Sequence, residues 1–256
     1  MTAVICDLDG VLYRGNSAVP GSARALQRLY AEGLRVVYVT NNSTRSQGAS
    51  AEKIQRLTGV EVDPSEICTS AMAAASVLSP EDDPVLVVGE EGIIEALEAK
   101  GYSTTSDPNI ASSVVVGLYR GLTYETIARA ADAVRNGARF IATNRDNTYP
   151  TTNGVKPGSG AIVAAVEAVA GVEPEVCGKP HAPMRSLIHE LGISDAWVIG
   201  DRVDTDIALA LDEPDWRSVL VLSGVTGPDD PQDGADHVVA DFAAGVDVVL
   251  SHTDRR

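Results

Sequence analysis

Two carboxylates stand two residues apart in Asp7-Leu8-Asp9-Gly10. Such a pair can divide the work of phosphoryl transfer. One carboxylate attacks phosphorus and forms an aspartyl phosphate, which water later hydrolyses. The other protonates the leaving oxygen and afterwards activates that water. Gly10 lets the backbone turn sharply past the reacting centre. Taken alone, the tetrapeptide is an ordinary turn rich in Asp and Gly, so its meaning depends on what joins it.

A second acidic group is Gly200-Asp201-Arg202-Val203-Asp204-Thr205-Asp206. If Asp201 faces Asp7, a cation must sit between them. Oxygen donors without His or Cys select a hard ion, and an open octahedral shell suits Mg2+. Asp206 can hold either a water on that ion or Lys179. The plain alternative is a helix N-cap, with acidic residues stabilising the first turn, and for Asp204 that reading is preferred. Thr40-Asn41 offers a hydroxyl and a backbone N–H at a turn, both suited to a phosphate oxygen; capping is its plain alternative. Gly178-Lys179-Pro180 sets a lysine on a constrained loop. The chain has four lysines, Lys53, Lys100, Lys156 and Lys179, so any phosphate-facing lysine is one of these.

Charge links the pieces. Like charges about 4 Å apart cost roughly 4 kcal/mol per pair at an effective dielectric near 20. Asp7, Asp9, Asp201 and Asp206 together with a phosphate monoester therefore require positive charge, which a divalent ion and Lys179 supply. Phosphoryl transfer relies mainly on positioning and charge stabilisation.

The elements that must position these residues follow from the apolar pattern. Asp7, Thr40 and Asp201 each follow a strand-like run: 3–6, 35–39 and 196–199. Further strands are predicted at 219–222 and 237–239, and helices at 21–32 and 182–191. Strand, helix, strand with short joints means a right-handed parallel βαβ unit. In an open parallel sheet the carboxyl ends of the strands share one edge, where ligands bind. Between the two halves lies another alternating stretch, with strands at 85–88, 114–116 and 140–142 and helices at 91–100, 123–136 and 159–170. The expectation is an α/β chain with a discontinuous core, 1–78 and 178–256, and a smaller α/β domain inserted at 79–177. Ser79-Pro80-Glu81-Asp82-Asp83-Pro84 is the expected hinge.

Composition bounds the partners. Acidic residues outnumber basic ones by 36 to 20, a net charge of −16, which repels nucleic acid and anionic lipid. A phosphorylated substrate then needs local positive charge in the site. No apolar run approaches the roughly 20 residues that cross a bilayer. The N-terminus lacks a basic lead-in and a cleavable apolar stretch, so a cytoplasmic protein is expected. Cys6, Cys68 and Cys177 are too scattered for a disulfide framework or a metal site and read as buried apolar filler.

Asp7-Leu8-Asp9-Gly10-Val11-Leu12-Tyr13-Arg14-Gly15, Thr40-Asn41-Asn42-Ser43, Gly178-Lys179-Pro180 and Gly200 through Ile207 resemble the four ordered motifs of haloacid dehalogenase (HAD)-like hydrolases. The similarity runs over nearly the whole chain, including Val155-Lys156-Pro157-Gly158-Ser159-Gly160-Ala161 and Val221-Leu222-Ser223-Gly224-Val225-Thr226. The branch it most resembles is subfamily IIA. That branch holds NagD-like, phosphoglycolate, glycerol-phosphate and pyridoxal phosphate phosphatases.

The resemblance implies a Rossmann-like parallel-sheet core with an inserted α/β cap of the C2a type. It implies Mg2+ as cofactor, Asp7 as nucleophile and metal ligand, and Asp9 as general acid/base whose backbone carbonyl also reaches the metal. Thr40, Asn41 and Lys179 would hold the phosphate, Asp201 would bind Mg2+ directly, and Asp206 would stand behind it. In the cap, Thr143-Asn144-Arg145-Asp146-Asn147-Thr148-Tyr149-Pro150 aligns with a loop that leans toward substrate in relatives, which makes Arg145 and Tyr149 candidate specificity residues. The alternative for Arg145 is a plain surface arginine. After Ile207 the chain departs from the family's glycine-containing bend, which alters a surface loop rather than the chemistry.

The expected substrate is a small cytoplasmic phosphomonoester such as phosphoglycolate, glycerol phosphate, a sugar phosphate or a nucleotide. A phosphotransferase or phosphomutase on the same site is the alternative reaction. A dehalogenase would not need Asp9 as an acid, and a non-catalytic binding module would have lost a nucleophile, acid or metal ligand. Relatives pair through their caps, so the resemblance also implies a homodimer.

Overall fold

The computed structural model describes residues 2–151 and 154–253; residues 1, 152–153 and 254–256, which fall within the predicted core and insertion ranges, lie outside it. Ala3-Val4-Ile5-Cys6 is apolar throughout and buried on both faces, as a central parallel strand must be. Among the described residues, six parallel strands form the first sheet. Their order is His237–Val239, Trp216–Val221, Ala196–Gly200, Ala3–Cys6, Arg35–Thr40 and Ile67–Thr69. From Ala3–Cys6 the chain first adds strands on one side and later returns on the other. The strand order therefore reverses between Ala3–Cys6 and Ala196–Gly200, the place where an α/β sheet opens a crevice. Register levels the strand ends: Cys6 pairs with Ile199 on one side and Tyr38 on the other.

Alternation along the strands splits the core into two layers. Val4, Cys6, Val36, Tyr38, Trp197, Ile199, Val219 and Val221 share one layer with residues of the helices Ser22–Ala31, Gln47–Thr58 and Phe242–Thr253. Ala3, Ile5, Val37, Val39 and Val198 face the other way, onto Ser70–Ser76 and Ala182–Glu190.

A second parallel sheet has the order Glu175–Val176, Arg139–Ala142, Ser113–Val116, Val85–Val88, Thr104–Thr105. Its outer layer joins Leu86, Val88, Val114, Val116 and Phe140 to the helices Tyr124–Arg135 and Ser159–Ala170. Its inner layer is continuous with the core: Ile93, Leu97, Val115 and Ile141 cluster with Ala71, Ala73, Ala74 and Ala75. Small side chains on Ser70–Ser76 allow that close packing.

Several elements were not foreseen: the short edge strand Ile67–Thr69, the helices Gln47–Thr58, Ser70–Ser76 and Phe242–Thr253, and the antiparallel hairpin Thr148–Thr151 with Gly154–Pro157. The predicted 219–222 strand instead spans Trp216–Val221. The segment expected as a hinge is fastened to the second sheet. Asp82 accepts from Ser79 N at 2.8 Å and pairs with Arg139 at 2.9 Å, while Ser113 Oγ donates to the Asp82 carbonyl. Cys6, Cys68 and Cys177 are buried free thiols, as their reading as filler requires. No helix of the described residues is long and apolar enough to cross a membrane.

Candidate active site

Strand ends deliver the acids. Asp7 and Asp201 each continue one step beyond adjacent strands, and one carboxylate oxygen from each of Asp7, Asp201 and Asp206 lies within 4.8 Å of the others. All three are buried. Lys179, only 4% exposed, enters among them. Its ammonium donates to Asp7 Oδ1 at 2.5 Å, Asp206 Oδ1 at 2.6 Å and the Val39 carbonyl at 2.9 Å. Asp206 Oδ2 accepts from the backbone N–H of both Asp201 and Arg202 at 3.1 Å. Lys179 is one of the two partners expected for Asp206.

Asp201 is held from the far side. Its Oδ2 accepts from Val225 N at 2.6 Å, and its carbonyl accepts from Thr226 N at 3.1 Å. Two glycines make room for it. A Cβ at Gly10 or at Gly224 would overlap the Asp201 carboxylate, and Gly10 also needs its φ of +95°.

Three carboxylates gather near one ammonium, which bonds two of them, so the cluster is short of positive charge. Burial pushes Asp7 well above the usual carboxylate range; Lys179 opposes this, while Asp206 and Asp201 reinforce it. Burial, with Asp206 beside it, raises Asp201 to about 7. Burial also works against the charge of Lys179, but Asp206 and Asp7 hold its pKa above the ordinary lysine value. An oxygen-only, anionic, buried donor set fits a hard divalent cation such as Mg2+. Among the described residues, no other group of three or more His, Cys, Asp or Glu side chains converges this way.

Asp9 stands apart from the cluster. Its side chain is 40% exposed and faces Lys53, whose Nζ lies 3.7 Å from Asp9 Oδ1. Lys53 also sits 3.6 Å from the centroid of the Tyr13 ring.

Thr40 Oγ1 accepts from Asn42 N at 3.1 Å, which leaves its hydroxyl proton to donate outward. Asn41 keeps the backbone N–H expected to face phosphate apart from its side chain. Its side-chain amide is engaged by protein: Oδ1 accepts from Lys179 N at 2.8 Å, and Nδ2 faces the Lys179 carbonyl at 3.2 Å and the Asp146 carboxylate at 3.2 and 3.3 Å. Any grip of Asn41 on phosphate therefore falls to its backbone N–H.

The loop 143–150 does reach the first sheet, through residues other than those singled out. Asn144 Nδ2 donates to the Asn41 carbonyl at 2.7 Å, and Asp146 receives the Asn41 amide. Burial raises the Asp146 carboxyl, against the pull of Arg202. Arg145 instead pairs with Glu167 on Ser159–Ala170. Residues with larger side chains drew attention in this loop, whereas a short amide and a short carboxylate make the bridge. Lys53 was missed because its helix, Gln47–Thr58, was not foreseen. Its rarity among four lysines was the available signal.

Known proteins resemble this chain over most of its length. A family model described as haloacid dehalogenase-like hydrolase matches residues 4–103, and a HAD-hydrolase-like model matches residues 176–245. The chain is 37% identical over 229 residues to an acid sugar phosphatase of Staphylococcus saprophyticus, covering 88% of this chain and 87% of that protein. A p-nitrophenyl phosphatase from Archaeoglobus fulgidus superposes with a TM-score of 0.87 at 32% identity, covering 96% of this chain and 98% of that one. A glycerol phosphate phosphatase from Mycobacterium tuberculosis in complex with magnesium superposes with a TM-score of 0.83 at 30% identity, covering 95% and 75%.

Proposed function

This chain belongs to the haloacid dehalogenase-like hydrolases and is a phosphatase, and on that premise we propose that it is Mg2+-dependent and cleaves small cytoplasmic phosphomonoesters through an aspartyl phosphate on Asp7. The observation that carries the reading is the buried Asp7, Asp201 and Asp206 cluster around Lys179 at the reversal point of the sheet.

In this reading Asp7 and Asp201, with the backbone carbonyl of Asp9, would hold Mg2+. The ion would neutralise charge gathered between the carboxylates and the phosphate. Asp7 attacks phosphorus as the bond to the leaving oxygen breaks, and Asp9 gives that oxygen a proton. Asp9, now a carboxylate, takes a proton from water as the water attacks phosphorus and the Asp7–phosphorus bond breaks. Lys179, the Thr40 hydroxyl and the Asn41 backbone N–H orient the phosphate oxygens. Asp206 keeps Lys179 aimed at Asp7 and ties down the backbone at Asp201.

The segment 79–177 acts as the cap over a core made of 1–78 and 178–256. Its bridge through Asn144 and Asp146 to Asn41 supports that role. A cap over the strand ends restricts access and favours a small phosphorylated metabolite over a phosphoprotein.

The test is hydrolysis of p-nitrophenyl phosphate with and without Mg2+, for the wild type and Asp7→Asn. The expected result is Mg2+-dependent release that the variant loses by about a thousandfold or more. Full activity in Asp7→Asn removes Asp7 from the mechanism. Free phosphate as the sole phosphorylated product in the presence of acceptor alcohols distinguishes hydrolysis from transfer. A panel of phosphorylated metabolites ranked by kcat/KM then identifies the substrate.

A further inference from the structure

Lys53 is buried to 5% exposure, yet among the described residues the carboxylate paired with it, Asp9, comes no closer than 3.7 Å. Its ammonium lies against the Tyr13 ring, 3.6 Å from the centroid, and faces Asp9 Oδ1. Arg45 and Arg56 add like charge nearby, and burial lowers its pKa although Asp9 pulls the other way. Burying an ammonium with so loose a partner is unfavourable, and a neutral side chain of the same length would pack there more easily.

The surroundings show what this charge can do. Asp9 and Tyr13 belong to one tight turn, with Gly10 N donating to the Tyr13 carbonyl at 2.8 Å and Leu12 N to the Leu8 carbonyl at 3.0 Å. Lys53 reaches that turn from a different element, the helix Gln47–Thr58. It contacts both the ring and the carboxylate of the turn, so it restrains the one acid of the site that is partly exposed. An exposed carboxylate samples several rotamers unless something restrains it, and proton transfer requires hydrogen-bond reach to the leaving oxygen.

We infer that Lys53 is a positioning residue: seated on the Tyr13 ring, it holds the Asp9 carboxyl where it can hand its proton to the leaving group. The inference rests on the proposed phosphatase mechanism but concerns a residue outside the acid cluster. It makes no contact with Asp7, Asp201 or Asp206 necessary.

Leaving-group dependence tests it. Nitrophenolate leaves without help from an acid, whereas an alkoxide needs the proton of Asp9. The constant kcat/KM counts only steps up to departure of the leaving group, so later hydrolysis does not blur the comparison. In Lys53→Met, kcat/KM for glycerol phosphate is expected to fall by about thirtyfold or more, and for p-nitrophenyl phosphate by less than about threefold. Lys53→Gln repeats the test should the methionine variant fail to fold. Equal losses on both substrates, or an unchanged rate on the alkyl ester, overturn the inference. A wild type that hydrolyses both substrates with Mg2+, and an inert Asp7→Asn, leave the phosphatase reading standing whatever Lys53 does. A wild type that hydrolyses neither sinks both.

Discussion

The ammonium of Lys179 lies 2.5 Å from Oδ1 of Asp7, at the strand ends and shielded from solvent. That contact aims the carboxylate and offsets part of its buried charge. Asp206 holds the same ammonium at 2.6 Å, so two acids depend on one lysine.

Replacing Lys179 with methionine strands both acids. Loss of one member of a buried ion pair costs about 3–5 kcal/mol, so urea unfolding of metal-free Lys179→Met should show a loss of that order. Saturating Mg2+ should recover part of it, because the ion replaces missing positive charge.

Proton competition should govern metal binding. Burial and Asp206 raise Asp201 to about 7 in the metal-free protein, whereas an unfolded aspartate titrates near ~3.9. The folded chain then holds a proton that the unfolded chain has lost. Stability from this group is full below ~4 and drains as pH rises through about 7. Mg2+ displaces that proton, so its affinity should rise about tenfold between pH 6 and pH 8. Calorimetric titration at both pH values, in buffers of different ionisation enthalpy, measures the affinity and the proton released together.

Gly224→Ala should injure the metal site while sparing the sheet. Its Cβ would overlap the Asp201 carboxylate, and that side chain would have to leave Val225 N and its place beside Asp7. Mg2+ affinity is expected to drop at least about tenfold, while the far-ultraviolet circular dichroism stays that of the wild type. Unchanged affinity would mean that Asp201 does not hold the ion.

The bridge between the two sheets makes a separate prediction. Asp146→Ala removes a carboxylate that receives the Asn41 amide, while the bonds of Asn41 to Lys179 N and O remain. Stability should fall by about 1 kcal/mol. If that bridge orders the phosphate-facing turn, kcat/KM for p-nitrophenyl phosphate should fall about tenfold. Steady-state kinetics beside thermal unfolding separates the two effects.

Much of this was legible in the sequence because polar residues at strand ends carry their own address. Asp7, Thr40 and Asp201 each end an apolar run, and parallel pairing with level register turns that pattern into proximity. Lys179 was marked by its short loop between glycine and proline. What escaped depended on contacts between elements. Lys53 acquires meaning only when the helix Gln47–Thr58 packs its lysine against Tyr13. The partners of the Asn41 side chain, Lys179 and Asp146, come from distant segments and could not be read from its own motif. Arg145 stood out by type, but Glu167 on a helix of the same sheet captures it. Periodicity reports faces and ends of elements, not which of two neighbouring side chains crosses to another layer.

The division of labour between Asp7 and Asp9 is tested most directly in Asp9→Asn. With p-nitrophenyl phosphate and Mg2+, the first half-reaction needs no acid, but release of phosphate from Asp7 lacks its base. Rapid quench in acid followed by peptide mass spectrometry should find a burst of roughly one nitrophenolate per active site and phosphate on Asp7. Phosphate on another residue, or a wild type that turns over while the variant shows neither burst nor phosphorylated Asp7, would contradict the account.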